Sequence, residues 1–298
     1  MRRFFALLSG LVLSTLGASS AFAASLDAAT ILKDFNAVVY TDGSTSSDIE
    51  GAAVIGGNFS GTSVYQIPRT TTLPSGYGAL TVFGNASGSI HMENGSNAYF
   101  GGGTVGFNGG GSYISAPSGT ISDFEKTMNS FSSLLASLAS NSTLPTTDNN
   151  EVIKATPGAN GIAVFNITAD QLAAIPSYKI DLNGASTVIF NVSGTSVTVN
   201  ATDESGVTGA DNIIWNFFDA TTVTLNREFV GTVLATKAAV TNSSPIDGTL
   251  VAKSWIGQGE LHNYGFDGNL PIPVPEPASL ALLGVGLFVL EVVRRRRA

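Results

Sequence analysis

The sequence predicts a mainly β fold: a single β-solenoid-like (β-helix) domain with one amphipathic α-helix packed alongside. Three observations carry that prediction. The chain is rich in Gly, Ser, Thr, Asn and Val, with 34 glycines and only 12% charged residues, which suits short strands and tight turns rather than long helices. "STVIFNVSGTSVTVN" (186–200) alternates apolar and polar residues between turn residues, as half-buried strands do. Two segments repeat at an offset of 17 residues: "FVGTVLATKAAV" (229–240) and "IDGTLVAKSWIG" (246–257) align Gly231 on Gly248 and Ala235 on Ala252. A third, "IEGAAVIGGNF" (49–59), shares the opening Ile-acid-Gly. A repeat near the length of one coil points to stacked rungs, whereas two similar strands of a sandwich would give the same pair of segments.

The helix is expected within "SDFEKTMNSFSSLLASLAS" (122–140). Ser122 and Glu125 form a capping-box pattern, and Phe124, Met128, Phe131, Leu135 and Leu138 fall on one stripe. Shorter helices are expected at 26–35 and at 168–175, the second with Thr168 and Gln171 as its capping pair. "NSTLPTTDNN" (141–150) reads as a polar loop.

Both ends of the chain read as addresses rather than fold. Arg2 and Arg3, an apolar run over 4–16 and the small-x-small site Ala21-Phe22-Ala23 occur in the order of a secretory signal, so residues 1–23 are expected to be removed and the mature chain to begin at Ala24. At the other end, Val274, Pro275, Glu276 and Pro277 precede an apolar run over 278–293 and a basic stop of Arg294, Arg295, Arg296 and Arg297. Sixteen helical residues span about 24 Å, short of the roughly 30 Å hydrocarbon core, and Glu291 near the basic end opposes deep burial. Transient insertion with the arginines in the cytoplasm is the expectation. The working domain is then 24–270, followed by the tail 271–298.

Six of the 14 basic residues and two of the 22 acidic ones fall in these ends, leaving 8 against 20 and a net charge near −12. Such a surface repels a polyanionic backbone, which excludes nucleic acid as a partner. With no cysteine and two histidines, thiolate or histidine-rich metal sites are excluded and no cofactor is expected.

The stretches "ILKDFNAVVYTDGSTSSDIEGAAVIGGNF" (31–59), "IIWNFFDATTVTL" (213–225) and "IDGTLVAKSWIGQGELHNYGFDGNLP" (246–271) together resemble the choice-of-anchor A family, an adhesive module of bacterial surface proteins. Where that pattern has Leu-Ala-Pro, this chain reads Leu234-Ala235-Thr236. The resemblance implies an extracellular, β-rich, solenoid-like domain with a helix alongside and no catalytic residues. The tail resembles the PEP-CTERM sorting signal of exopolysaccharide-producing Gram-negative bacteria, which implies export by the Sec machinery, a transient inner-membrane anchor and processing by an exosortase. An exported adhesin touching exopolysaccharide or neighbouring cells, at the cell surface or in the matrix, is the expectation. A β-helix polysaccharide lyase or hydrolase and an inert structural coat protein are the alternatives.

Enzyme motifs are sparse. "GNASG" (84–88) lacks the spacing of a nucleophile elbow, and "GGGTVGFNGGG" (101–111) lacks the lysine and following helix of a phosphate cradle. Glu260, His262 and Asp267 form a candidate acid/base group, against which stands a structural role closing the last coil. Asp42, Asp48 and Glu50 would offer oxygen ligands to Ca²⁺, without EF-hand spacing, or simply form a solvated acidic turn. Trp215, Trp255, Tyr264 and Phe266 would make a sugar platform only if they are not core. Thr222-Val223-Thr224 resembles a piece of the threonine-lined solenoid faces that bind ice, although threonine on an exposed strand also follows from β propensity alone.

Overall fold

A computed structural model describes residues 26–64, 73–74, 76–103, 106–107, 111–145 and 150–271. The cleavage site Ala21, Ala23 and Ala24, the sorting motif Val274–Pro277, the apolar run 278–293 and the four terminal arginines all lie outside the described residues.

Every strand pairing within the described residues is parallel, and the strands stack as successive coils. The 17-residue repeat is a repeat in space: 232–242 pairs with 250–257, Ala235 opposite Ala252. Gly231, at φ +108, stands beside Gly248 one coil on, and a Cβ on Gly248 would lie 2.3 Å from the Gly231 carbonyl oxygen. Backbones approach so closely there that a side chain does not fit.

The coils do not follow chain order. One run of the stack reads 162–168, 187–193, 213–216, 232–235, 250–252, then 37–39, 53–55, 80–82 and 98–100. The first described strand, 37–39, therefore lies mid-stack; the coils build outward to 98–102, and the later strands start at the opposite end of the stack and build back towards 37–39. Between these two sets of strands in sequence lies α2 (Ile121–Ala136). Its 16 residues measure about 24 Å, the height of about five coils at roughly 4.8 Å each. The seam between the two arms is closed by Ala37↔Leu250 and Trp255↔Gly43 pairing. It is also bonded through Asn36, whose Nδ2 donates to Gly248 O (2.8 Å) and His262 O (2.9 Å) while its Oδ1 accepts from Gly51 N.

Inside the coils Phe165, Phe190 and Trp215 stack, with ring centroids 4.7 and 3.9 Å apart, and Trp215 Nε1 donates to Val230 O. On one outer face the side chains are also apolar: Val164, Ile189, Ile214, Leu234, Val251, Val38 and Val54. That face needs a cover, and α2 supplies it with Phe124, Met128, Phe131 and Leu135. The short α1 (Ala28–Asp34), capped by Asp27, adds Ile31 and Leu32. Phe35, Tyr77 and Phe124 lock edge to face between them.

α2 opens two residues earlier than the Ser122–Glu125 pattern suggests. Its capping box is Thr120 with Asp123. Both pairs fit the same motif, and the earlier one leaves the apolar stripe unchanged while adding Ile121 to the packed face. α3 (Ala169–Ala173) is capped by Thr168 and Gln171 as expected.

Candidate functional site

The second long face of the solenoid is built from Ser196–Val199, Thr222–Leu225, the C-terminal parts of Thr232–Asn242 and Leu250–Gly257, Gly43–Thr45, Phe59–Val64 and the C-terminal part of Leu80–Met92. Alternation sends Val197, Val223, Val240, Trp255, Phe59 and Ala86 into the core. It sends the other set outward, where the registers place them in rows along the stack. One row is Ser196, Thr222, Ala239 and Ser254; the next is Thr198, Thr224, Thr241, Ile256, Ser44, Ser60 and Ser87. All are exposed or half-exposed, and Ile256 is 58% exposed. Successive coils sit about 4.8 Å apart along a row, and rows about 6.7 Å apart. Thr222 Oγ1 donates to Ser196 Oγ across the coils at 3.1 Å.

No Asp, Glu, Lys or Arg occurs in these stretches of the seven strands. In so acidic a chain, an uncharged, hydroxyl-lined face with nothing of the described structure packed on it is the feature that differs most from the rest of the surface. Thr222 and Thr224 lie in it, so the Thr-x-Thr stretch forms part of a continuous array rather than an isolated pair.

Where this face meets the helix-covered one, three asparagines form a ladder. Asn216 Nδ2 donates to Asn191 Oδ1, and Asn191 Nδ2 to Asn166 Oδ1, each at 2.9 Å. Each also donates one N–H at or just beyond the end of α2: Asn216 to Ser132 O, Asn191 to Leu135 O and Asn166 to Leu138 O. The ladder thereby fastens three successive coils to the C-terminal end of α2, at carbonyls of which Leu135 O also accepts from Leu138 N. The sequence carries a trace of this arrangement, an aromatic residue followed by Asn every 25 residues; alternation alone does not disclose it.

The acid/base candidates do not gather as a trio. Asp267 pairs with Lys33. The fully buried Asp247, in register with His262 on the neighbouring coil, takes its place: it binds Nδ1 of His262, while Glu260 lies 3.0 Å from Nε2. Burial opposes protonation of His262. Hydrogen bonds to Asp247 and Glu260, with the charges of Asp247 and Glu50, outweigh it and leave the pKa above the usual imidazole value. Glu228 is held above the usual carboxyl range, first by hydrogen bonding to Asp247 and then by burial. Asp203 is raised mainly by burial, despite bonds from Ser205. A histidine clamped on both nitrogens by carboxylates is positioned to hold coils together.

The Ca²⁺ candidates separate. Asp42 accepts from Asn58, Asp48 from Thr62, and Glu50 from Asn263 N at 3.0 Å. Among the described residues no group of three or more His, Cys, Asp or Glu is placed to hold a metal ion. Trp215, Trp255 and Phe266 are buried and Tyr264 is half-buried, so they present no aromatic platform. Among the described residues no helix is long and apolar enough to cross a membrane.

Residues 28–263 match the profile of a family described as "Putative Ice-binding-like adhesive domain", and residues 273–297 match the PEP-CTERM protein-sorting motif. The first description differs in name from choice-of-anchor A, and the two share the adhesive role. Among solved structures, the chain is similar to an ice-binding protein from the Antarctic ascomycete Antarctomyces psychrotrophicus, at 12% identity and TM-score 0.40, covering 78% of this chain and 95% of that one. It is also similar to a domain of an ice-binding protein from Shewanella frigidimarina, at 13% identity and TM-score 0.40, covering 81% and 96%. A comparison with curated proteins gives no match.

Proposed function

This chain belongs to the family of ice-binding-like adhesive domains, and on that premise we propose that its uncharged solenoid face is an adhesive surface for hydroxylated extracellular polymer. The family and the PEP-CTERM motif support an exported surface protein. The finer reading is that the hydroxyl rows dock on exopolysaccharide or on the glycans of neighbouring cells. One observation carries it: seven strands contribute a contiguous face with no charged residue, while the chain as a whole carries a net −8. A face of hydroxyls and small apolar groups meets a neutral polymer with little desolvation cost for charge. Each contact is weak, and repetition along the stack makes the sum useful.

In this reading residues 1–23 direct export, 24–270 form the working domain, and 271–298 are processed by exosortase at Val274, Pro275, Glu276 and Pro277 after a transient stay in the inner membrane. Mass spectrometry of the extracellular protein tests this part. C-terminal peptides ending near Pro277 support processing, and peptides running through Arg297 refute it. The adhesive part is tested with Thr224→Lys and Ile256→Lys, which place charge on the face without touching the core. Attachment of cells to their own matrix falls several-fold if the face adheres, and unchanged attachment with both variants refutes it.

A second reading is favoured by one specific feature, the row Thr198, Thr224 and Thr241 at single-coil spacing. Such a row can order water at a regular interval and so dock on ice. Partition of the protein into a slowly growing ice front, lost in Thr224→Lys, distinguishes this from polymer adhesion.

A further inference from the structure

The end of the asparagine ladder opens into a cavity that the adhesive face does not include. It lies between the last turn of α2 and the coils at 162–168 and 187–193, has a volume of about 240 Å³, and is lined by Asn166, Thr168, Asn191, Ser193, Ala136 and Phe218 together with Ile167. We propose that this cavity is a subsite for one neutral sugar ring of an extracellular polysaccharide.

The hydrogen-bond inventory of the lining supports that ligand class. The ladder runs in one direction: Ser132 Oγ donates to Asn216, Asn216 to Asn191, and Asn191 to Asn166. Asn191 and Asn216 each spend both amide hydrogens. Asn166 spends one, on Leu138 O, and is exposed. Its second N–H is the free end of the chain, and donors at the end of a polarised chain are strengthened by the bonds behind them. Thr168 Oγ1 accepts from Gln171 N, so its hydrogen is free to donate. Ser193 Oγ donates to Ile167 O, so its lone pairs are free to accept. Two donors and an acceptor thus border the same small space beside the half-buried ring of Phe218. Sugar hydroxyls both donate and accept, and a sugar's C–H face packs on an aromatic ring. No charged side chain lines the cavity, which selects a neutral ring over a uronate. The volume is below the roughly 300–1,000 Å³ of pockets for drug-sized ligands, so one ring enters and the rest of the polymer lies outside. The inference takes its ligand class from the adhesive reading, but it concerns other residues.

The test is a titration of the ¹⁵N-labelled full-length chain with cellohexaose and laminarihexaose as neutral probes and oligogalacturonate as the acidic one. The expected result is a saturable shift of the Asn166 side-chain amide signals with at least one neutral probe. The affinity should fall at least about fivefold in Phe218→Ala. Ala136→Met, which fills the cavity from a helix position that favours Met, should lose binding with the fold unchanged, and so covers the case in which Phe218→Ala unfolds. Absence of Asn166 shifts with both neutral probes overturns the proposal. Shifts confined to Thr224 and Thr241 overturn it too while sparing the adhesive face, and binding of the acidic probe alone overturns the neutral assignment. Conversely, Asn166 shifts that persist in Thr224→Lys, alongside unchanged cell attachment in that variant, keep the cavity and remove the face.

Discussion

Replacing Asn191 by alanine should weaken the fold far more than removing the next amide in the same ladder. Asn191 is 2% exposed. It accepts from Asn216 Nδ2 and donates to Leu135 O and Asn166 Oδ1. Its loss strands an N–H of Asn216, which is fully buried, and removes the donors that Leu135 O and Asn166 Oδ1 accept from. A buried donor left without an acceptor costs about 1–3 kcal/mol and each lost bond about 1 kcal/mol, so the expected loss is about 2–4 kcal/mol. Asn166→Ala removes an amide that is itself exposed and borders the cavity beside Asn191, so water entering there can replace its oxygen as the acceptor, and it should cost below about 1 kcal/mol. Urea unfolding reads the difference: with a slope of about 2–3 kcal/mol/M, Asn191→Ala moves the midpoint down by about 1 M at an unchanged slope. Equal, small shifts for the two variants would refute the claim that the ladder is a continuous buried network clamping the helix.

Three further outcomes follow from the same structure. His262 holds its proton above the usual imidazole pKa, and Asp203 and Glu228 hold theirs above the usual carboxyl range; the native state therefore binds more protons than the unfolded chain, and these groups stabilise the fold less as pH rises from the carboxyl range through the raised imidazole pKa. Thermal melts between about pH 5 and 8 should show that decline, and His262→Gln should flatten its upper part; a wild-type stability that climbs over this range would contradict it. Gly248→Ala places a Cβ 2.3 Å from the Gly231 carbonyl oxygen and should cost about 1–3 kcal/mol by calorimetry, whereas Gly184→Ala, with open space but φ +79, should cost only the conformational strain of about 1–2 kcal/mol. Phe190→Ala, at the centre of the aromatic stack, should lose about 3–5 kcal/mol, and a loss under 1 kcal/mol would mean the stack is not a close-packed core.

Much of this molecule is written locally. Alternation in 196–199 specifies which side chains of that strand face inward, because successive residues point to opposite sides and only one side is dry there, whereas 187–193 is buried on both sides because α2 covers its outer face. The Gly231/Gly248 offset gives the register of two coils, since stacked coils need their close backbone approaches at the same place. The stripe from Phe124 to Leu135 gives the buried side of α2, and Thr168 with Gln171 gives the start of α3, because capping satisfies orphan N–H groups within four residues.

The tertiary structure decided what depends on partners distant in sequence. That 37–39 inserts beside 250–252 leaves no local trace, for parallel pairing across some two hundred residues is set by how the two arms of the stack meet. That Asp247 rather than Asp267 holds His262 follows from coil register, which sets Asp247 directly opposite and leaves Asp267 to Lys33. Both long faces are built of parallel strands; one became a helix-covered interior and the other an open surface because the outward residues are Val, Ile and Leu on the first and mostly Ser and Thr on the second. Apolar side chains must leave water by finding a cover, and hydroxyls have no such need, so the helix covers one face and leaves the other open.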